Sequence, residues 1–298
     1  MKVSVVMSCF NSERFIASAI ESILCQTYKD FEFIIWNDGS TDRTEEIIKR
    51  FNDPRIRYYY HENTGLGQAL RLACEKATGE YIARMDADDI SLPERFEKEV
   101  AFLDSHPGSV LVSSAVNYMD DDGIVHNTSF PYTKMTAIRK KMLSGASVIV
   151  HPASMFRKEV YEKAGGYRAL KKAQDGLLFS RMMIYGELSN IREPLLNYRV
   201  SEDSISTQTD GNAYTPIITS LRLKMVNDAE VLEDDILAYN ELVRLSKECN
   251  SNNLTSVNKF RQKKAKYEVL YDMLAPIIGS SKARSIIIIA KDILASLK

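Results

Sequence analysis

The chain has 298 residues, with 39 Lys and Arg against 40 Asp and Glu, and a hydrophobic content of 45%. This length accommodates one large α/β domain with an appendage, or two modest domains, with a sizeable core. The balanced charge provides no general attraction to nucleic acid, so we expect no nucleic-acid partner. No stretch reaches the roughly 18 consecutive apolar residues that a membrane-spanning helix needs.

The cysteines and the N-terminus favour a cytoplasmic protein. Cys9, Cys25, Cys74 and Cys249 show no C-x-x-C spacing, and the first three lie in apolar periodic segments. We therefore expect them to be reduced core residues. The apolar run that starts at Val3 is too short to be the hydrophobic region of a signal peptide.

Strands and helices alternate along the first part of the chain. Apolar runs predict strands over 3–8, 31–36, 56–60 and 81–85, and helical spacing predicts helices over 15–24, 45–51, 66–77 and 95–105. Ser12 is expected to cap the first helix. This alternation with short connections implies right-handed βαβ crossovers, and thus a parallel sheet with helices on its faces. The pattern leaves the strand order open.

The pattern loosens after residue 105. Strands are expected over 110–118, 124–128, 147–156 and 195–200, and helices over 158–164 and 176–185. Asp120, Asp121 and Asp122 precede Gly123, and we interpret this segment as a hairpin turn, with a second metal site as the alternative. From about residue 207 the apolar spacing becomes helical, so we place a domain in 1–207 and a helical region in 208–298.

Two acidic clusters follow predicted strands. Asp38 stands after the second strand in the polar segment 37–42, and Asp86, Asp88 and Asp89 follow the fourth strand. Because ligands of parallel sheets bind beyond the carboxyl ends of the strands, the two clusters should converge on one crevice. Carboxylates this close together suit a hard divalent cation such as Mg²⁺ or Mn²⁺. A solvated acidic turn is the alternative.

A group-transfer reaction also needs a base that deprotonates the incoming hydroxyl. Asp175 is the best-placed candidate because it stands at the expected start of a helix, where the N-terminus stabilises a carboxylate. A simple helix N-cap is the alternative for this residue. His151, Asp203 and Glu162 are the other candidates. His151 precedes Pro152 in an apolar segment, so we expect it to be a wall residue with a secondary role.

Several short motifs follow one another over roughly residues 1–206. They are V-S-V-V-M-S-C-F-N at 3–11, N-D-G-S-T-D at 37–42, G-E-Y-I-A-R-M-D-A-D-D at 79–89 with Pro93 and Arg95, His151-Pro152 with Phe156-Arg157, Gly165-Gly166-Tyr167, and Gln174-Asp175. Together they resemble family 2 inverting glycosyltransferases of the GT-A fold. The resemblance implies an α/β fold with a GT-A-type, Rossmann-like and mostly parallel central sheet flanked by helices, followed by a C-terminal helical region.

The resemblance also implies a nucleotide-sugar donor, usually a UDP-sugar, and a Mn²⁺ or Mg²⁺ ion. Asp38 would contact the uracil, Asp86 the ribose and Asp88 the metal, while Asp175 would be the general base. The acceptor hydroxyl would attack the anomeric carbon in line, which inverts its configuration. Within the catalytic domain, 1–105 would be the nucleotide-binding half and 106–207 the acceptor-binding half.

Further residues complete the expected site. The other donor-binding residues would be Ser8, Phe10, Asn11 and Arg71. Arg71 stands where many relatives have Asn, and it could reach the pyrophosphate or lie on the surface. Gln174 replaces the usual Glu before the base and is assigned, with His151, to the acceptor side. The Q-x-x-R-W signature of processive synthases is absent, which favours the addition of a single sugar.

The expected function is transfer of one sugar to a hydroxyl of a saccharide or lipid-linked saccharide in glycan or polysaccharide biosynthesis. A sugar nucleotidyltransferase is one alternative, but it would need a glycine-rich basic loop that residues 9–13 do not provide. A non-catalytic nucleotide-sugar-binding module is the other. The apolar residues 286–290 could pack on the catalytic domain, form a homodimer or lie at a membrane interface. The protein is thus expected in the cytoplasm, either free or peripheral on the inner face of the cell membrane.

Overall fold

The computed structural model describes residues 1–143, 146–170 and 172–201, together with Ile236 and Asn240. The chain divides into two compact units, Met1–Gln208 and Thr209–Lys298. The predicted C-terminal helices, with the apolar residues 286–290, lie outside the described residues except at Ile236 and Asn240, and Asp203 and Cys249 also lie outside them. None of the described helices combines the length and the apolar character that crossing a bilayer requires.

Strands and helices alternate through the first unit. Its described strands are β1 (Val3–Cys9), β2 (Phe31–Asp38), β3 (Ile56–His61), β4 (Tyr81–Asp86), β5 (Ile90–Ser91), β6 (Ser109–Met119), β7 (Val125–Thr128), β8 (Met155–Arg157) and β9 (Glu187–Arg199). Its described helices are α1 (Ile16–Leu24), α2 (Thr44–Ile48), α3 (Leu66–Glu75), α4 (Arg95–Ser105), α5 (Met135–Leu143), α6 (Lys158–Lys163) and α7 (Gln174–Met182). A 3₁₀ turn covers His151–Ala153.

The strands form one sheet in the order β3-β2-β1-β4-β8-β6-β9-β5, and β7 pairs with β6. Strands β3, β2, β1 and β4 are parallel to their neighbours in this half of the sheet. The antiparallel pairs gather in the other half, where β8 runs against β4 and β6 while β9 is parallel to β6. The predicted α/β architecture, a mostly parallel central sheet flanked by helices, is confirmed.

Strand β1 lies in the middle of the parallel half, and all 7 of its residues are buried. Ser8 pairs with Asp86 of β4 on one side, and Cys9 pairs with Asn37 of β2 on the other. The chain leaves β1 towards β2 and later returns across it to β4. The space beyond the carboxyl end of β1 is therefore a topological switch point, where sheets of this kind bind ligands. The acidic ends of β2 and β4 flank this space, as predicted.

Two predicted strands differ from the structure. The segment 147–156 is not one strand, because His151–Ala153 forms a 3₁₀ turn and only Met155–Arg157 joins the sheet. Pro152 explains the difference, since proline lacks an amide hydrogen and is preorganised for the first turn of a helix. The last strand begins at Glu187, well before residue 195, and its register against β6 shifts near Pro194.

Three local predictions about helices also need correction. Ser12 does not cap α1 through its side chain; its carbonyl oxygen accepts from the Ile16 amide at 3.0 Å. Cys25, at the end of α1, is exposed and not a core residue, whereas Cys9 and Cys74 are buried free thiols. Helix α7 begins at Gln174. Asp175 therefore lies inside the first turn of this helix and does not precede it.

Candidate active site

Three carboxylates gather directly after β4. Ligand oxygens of Asp86, Asp88 and Asp89 lie within 4.8 Å of one another. Burial raises the pKa of Asp88 to about 6, and the charge of Asp86 adds to this effect. Burial also raises the pKa of Asp89 well above its usual value, with Asp86 and Asp88 contributing. The group therefore holds mutually repelling carboxylates that a cation would stabilise.

A buried arginine lies beside this group. Arg84 precedes Asp86 by two residues on β4, so both side chains point to the same face of the sheet. Their side chains form an ion pair in which the guanidinium is 3% exposed and the carboxylate 30%. Sequence reasoning assigned Arg84 no role, because it stands within an apolar run that indicates only a strand. The ion pair offsets part of the negative charge of the cluster.

The carboxylates fit a hard divalent ion. Asp89 uses Oδ1 to accept the backbone amide of Arg199 at 2.8 Å, and its Oδ2 is buried without a hydrogen-bond partner among the described residues. Asp89 is therefore bound to the end of β9. Carboxylate oxygens are the ligands that Mg²⁺ and Mn²⁺ prefer. Asp86 and Asp88 would hold such an ion, and β9 engages only Oδ1 of Asp89, which leaves its Oδ2 beside them.

Hydrogen bonds connect the loops that follow β1 and β2. Asn11 has a left-handed φ of 48°. The backbone amide of Asn11 donates to Ser40 Oγ at 3.0 Å. Its side-chain Oδ1 accepts from the backbone amide of Thr41 at 2.8 Å. Phe10 is 49% exposed, whereas Ser8 is buried in β1. The predicted donor-binding residues of this loop thus occupy the mouth of the switch-point crevice.

Asp38 ends β2 and is buried at 2% exposure. Its Oδ1 accepts from the amide and hydroxyl of Thr64 at 2.9 and 3.0 Å, and its Oδ2 accepts from the Gly65 amide at 2.9 Å. These bonds fix the loop that precedes α3. A carboxylate offers about four acceptor positions, so Oδ2 keeps one for a ligand.

Arg71 lies on the solvent side of α3. Its Nε is 3.4 Å from a carboxylate oxygen of Glu75, one helical turn further along, and both side chains are about half exposed at 48% and 54%. Of the two alternatives that the sequence left open for Arg71, the structure has the surface position. Its assignment as a donor contact stays a prediction.

Asp175 lies in the first turn of α7 and is half-buried. The residue before this helix, Ala173, has a left-handed φ of 59°. No described residue donates a hydrogen bond to the Asp175 carboxylate, and α7 has no side-chain cap. Gln174 is 6% exposed, and its Oε1 has no hydrogen-bond partner in the described part of the chain. Asp175 is therefore not used as an N-cap, and both side chains remain available to a ligand.

A buried tyrosine connects the two ends of the site electrostatically. The Tyr167 hydroxyl lies 2.7 Å from Nε2 of His151. The pKa of Tyr167 is raised first by burial and further by Asp175, while Arg84 opposes the increase. The pKa of His151 is lowered well below its usual value, chiefly by burial and then by Arg84. Asp175 and Arg84 thus both act on the charge of one buried hydroxyl, and the lowered pKa of His151 keeps this imidazole neutral.

The other candidate groups lie elsewhere. Glu162 is exposed on α6, 3.3 Å from Lys158. Asp120 binds His126 at 2.6 Å and Asp121 binds Arg14 at 2.5 Å, both in the turn that joins β6 to β7. The turn interpretation of this segment is confirmed. Within the described ranges, the cluster after β4 alone brings three potential metal-ligating groups of the His, Cys, Asp or Glu type together.

Two further arginines support the site, and the sequence assigned neither a role. Arg95 is completely buried, donates to the Arg84 carbonyl at 2.8 Å, and pairs with Glu99 at 3.1 Å. The i, i+4 spacing of this pair could have identified it. Arg199 donates to the Asp88 carbonyl at 2.8 Å. Its partners are distant in sequence, so no local pattern indicates them.

Comparison with known proteins agrees with this geometry. Residues 4–165, more than half of the chain, match Glycosyl transferase family 2. EpsE of Bacillus subtilis (strain 168), which carries a glycosyltransferase name, is 36% identical over 211 residues, or 68% of this chain and 74% of EpsE. The O-antigen biosynthesis glycosyltransferase WbnJ of Escherichia coli is 33% identical over 222 residues, or 71% of this chain and 84% of WbnJ.

Solved structures share the fold. TarS 1-349 of S. aureus in complex with UDP-GlcNAc aligns with a TM-score of 0.69 at 18% identity, covering 99% of this chain and 92% of the TarS chain. The mannosyltransferase PcManGT from Pyrobaculum calidifontis, in complex with GDP-Man and Mn2+, gives a TM-score of 0.56 at 16% identity, covering 97% and 86%. The GT-A-type architecture is therefore confirmed. The chain belongs to glycosyltransferase family 2.

Proposed function

We propose that the chain is a metal-dependent inverting glycosyltransferase. It moves one sugar, of the hexosyl type, from a nucleotide-sugar donor to a hydroxyl of a saccharide or lipid-linked saccharide in glycan or polysaccharide biosynthesis. One observation carries the proposal: three carboxylates gather at the switch point beyond β1, with their ligand oxygens within 4.8 Å of one another. Asp175 and Arg84, the partner of Asp86, both act on the buried hydroxyl of Tyr167. A group-transfer site needs one acidic group for the leaving group and another for the nucleophile.

The donor half lies beyond β1. Asp38 accepts a ring N–H of the base through the free position of Oδ2, and Asp86 accepts from the ribose. Ser8, Phe10 and Asn11 line the remaining side of the donor. A bound Mn²⁺ or Mg²⁺ ion, held by Asp88 with Asp86, would neutralise the diphosphate leaving group without proton transfer.

The acceptor half lies at α7. Asp175 takes the proton of the acceptor hydroxyl as this oxygen attacks the anomeric carbon. Its carboxylate is free of competing hydrogen bonds from described residues, so it can accept that proton directly. Gln174 stands next to it with an unpaired Oε1, which can accept a second hydroxyl of the acceptor. The neutral His151 bounds this side without exchanging a proton.

The names of related proteins support the substrate classes. WbnJ is named for O-antigen biosynthesis, and the TarS structure contains UDP-GlcNAc. The PcManGT structure contains a GDP-sugar with Mn2+, so the base is not fixed by the fold. We infer a UDP-sugar as the first donor class to test. We also propose residues 1–207 as the catalytic domain, acting in the cytoplasm, with 208–298 available for a membrane or homodimer contact.

Thermal melting with a panel of nucleotide sugars tests the proposal, each sugar being measured with Mn²⁺ and with EDTA. A ligand that binds the native state raises the melting temperature by mass action. We expect one nucleotide sugar to stabilise the protein only when Mn²⁺ is present. Asp88→Ala should abolish this metal-dependent stabilisation, while Asp122→Ala, an exposed carboxylate of the turn after β6, should not.

Three results would redirect the assignment. Stabilisation by nucleotide sugars that is the same with EDTA contradicts the metal dependence. Release of pyrophosphate from a nucleoside triphosphate and a sugar 1-phosphate would indicate a nucleotidyltransferase. A protein that binds a nucleotide sugar but transfers no sugar to any saccharide would be a binding module. Its affinity for the nucleotide sugar would then be the same in Asp175→Asn.

A further inference from the structure

Arg199, the last residue of β9, contacts the backbone of the metal-binding segment. Its side chain is buried, with 5% of the residue exposed. Its Nε donates to the carbonyl of Asp88 at 2.8 Å. Its own backbone amide donates to Asp89 Oδ1 at 2.8 Å. A single residue therefore contacts two consecutive members of the carboxylate cluster, and both contacts leave the Asp88 carboxylate free.

The same guanidinium holds a second segment. Its Nη1 donates to the carbonyls of Asp120 and Asp121 at 2.7 and 3.0 Å, in the turn that joins β6 to β7. Its carbon lies 4.0 Å from the centre of the Phe15 ring, just before α1. The turn is thus attached to the segment after β4 through one side chain. The acidic turn contributes its carbonyl oxygens to this contact, not its carboxylates.

A lysine could not replace these contacts. The guanidinium presents several N–H groups in a fixed plane, so Nε and Nη1 reach carbonyls of two different segments at once. Its flat face also stacks on an aromatic ring. The ammonium group of lysine is a single point and cannot make both bonds in this arrangement. The geometry therefore requires arginine at position 199.

We propose that Arg199 is a positioning residue, which fixes the backbone at Asp88 against the 120–121 turn so that the Asp88 carboxylate is preorganised for the metal and the nucleotide diphosphate. It touches neither ligand itself. The ligand part of this proposal rests on the proposed function, whereas the fixing of the two segments does not. Segments that carry ligand groups lose affinity when the contacts that orient them are removed.

The test compares Arg199→Lys with Arg157→Lys. Arg157 is a matched control because it also donates to backbone carbonyls, those of Ser109 at 3.0 Å and Leu103 at 2.8 Å, and stacks on Tyr81 at 5.5 Å. Arg157 is the strand partner of Tyr81, at the start of β4, whereas the carboxylate cluster follows the end of β4. The two variants therefore lose the same kind of contact at different ends of one strand.

Two measurements are made on each variant. Hydrogen–deuterium exchange of the ligand-free protein follows the peptides that cover 86–91 and 120–124. Calorimetry measures the affinity for UDP with Mn²⁺. We expect Arg199→Lys to speed exchange in both peptides and to weaken Mn²⁺-dependent UDP binding at least about tenfold, the usual cost of losing a contact that orients a metal ligand. Arg157→Lys should change neither quantity, even where it lowers the melting temperature equally.

Phe15→Leu provides a second variant should Arg199→Lys fold poorly. It removes the ring below the guanidinium and leaves every hydrogen bond in place, so both quantities should shift in the same direction by a smaller factor. Unchanged exchange in Arg199→Lys overturns the proposal. Faster exchange with UDP affinity within twofold of the parent also overturns the positioning role. A parent protein that shows no Mn²⁺-dependent UDP binding contradicts the proposed function, and exchange alone then decides whether Arg199 fixes the two segments.

Discussion

The guanidinium of Arg84 and the carboxylate of Asp86 form an ion pair on one face of β4, at the end of the strand. Arg84 is buried in the sheet, while Asp86 reaches the crevice beyond β1. The same guanidinium faces His151 and Tyr167, whose pKa values it lowers. Arg84 thus balances the acidic cluster and discourages protonation of the neighbouring histidine.

Arg84→Gln should destabilise the protein, because it leaves the carboxylate cluster without its buried countercharge. Breaking a buried ion pair from one side costs about 3 to 5 kcal/mol. The partial exposure of Asp86 reduces this cost, so we expect a loss near 2 to 3 kcal/mol in the free energy of unfolding. Urea unfolding at pH 7 measures it.

Arg50→Gln is the control for this prediction. Arg50 makes an i, i+4 ion pair with Glu46 on the surface of the protein, with both side chains more than half exposed. Such pairs contribute about 0.5 kcal/mol or less. Equal effects of the two substitutions would mean that Arg84 contributes no more than a surface charge.

The parallel half of the fold could be predicted from the sequence because its signals are local. Each apolar run is followed within a few residues by a helix of clear period, and the acidic ends of β2 and β4 follow their strands directly. The antiparallel half was less predictable. Pro152 interrupts an apolar segment that otherwise has the composition of a strand, and most of β9 lacks the apolar character that marks its last residues.

The supporting arginines could not be predicted for a related reason. The carbonyls that accept hydrogen bonds from Arg199 lie 111, 79 and 78 positions away in the sequence, in segments that meet only after the sheet has formed. Arg84 interrupts an apolar run and is indistinguishable there from an exposed strand residue. The sequence thus indicated the acidic residues of the candidate site and not the arginines that contact them. The roles of Asp38, Asp88 and Asp175 remain predictions.

The affinity for a divalent metal should depend on pH through Asp88. Burial, with the charge of Asp86, raises the pKa of this carboxyl to about 6. A metal binds the deprotonated form, so the proton competes with the metal below that pH. With a pKa of about 6, this carboxyl is mostly protonated at pH 5 and mostly ionised at pH 7. Since it must lose its proton to bind Mn²⁺, the apparent affinity should be about tenfold weaker at pH 5 than at pH 7.

Calorimetry with Mn²⁺ and a nucleotide sugar measures this dependence. The nucleotide sugar is preferred to UDP because its phosphate groups are both esterified and do not titrate in this range. Asp175→Asn serves as the control and should show the same pH profile, since its carboxylate lies on the acceptor side. An affinity that is constant from pH 5 to pH 7 would contradict deprotonation of Asp88 on metal binding.

Asp175→Asn should leave donor binding intact and reduce sugar transfer by at least about a hundredfold, within the range for loss of a general base. The amide has nearly the shape of the carboxylate but cannot take the proton of the acceptor hydroxyl. Rates of transfer to a saccharide acceptor, with donor affinity measured in parallel, test this. Glu162→Gln, an exposed change on α6, is the control. Transfer at the parental rate in Asp175→Asn would assign the base to another residue.

Glu32→Gln should remove much of the pH dependence of stability in acid. Glu32 is 2% exposed, and its Oε1 accepts from the Ser4 hydroxyl at 2.6 Å and the Thr78 amide at 2.7 Å. Arg57 pairs with Oε2. Burial alone would raise the pKa of Glu32, but these hydrogen bonds outweigh it and lower the pKa to about 2. The carboxylate thus joins β1, β2, β3 and the segment before β4.

The sign of this effect follows from the lowered pKa. The ionised carboxylate stabilises the folded state fully above its unfolded pKa of about 4.5, and this contribution is lost as the pH falls from there towards 2. This contribution is about 3 kcal/mol at pH 7, and the Gln variant should lack it. Urea unfolding of both proteins at pH 7, 4 and 3 measures their free energies of unfolding. The difference between the parent and Glu32→Gln should become smaller as the pH falls. Glu46→Gln, at a surface pair, should show a small and constant difference. A gap between parent and Glu32→Gln that stays constant down to pH 3 would mean that Glu32 acts through packing and not through its charge.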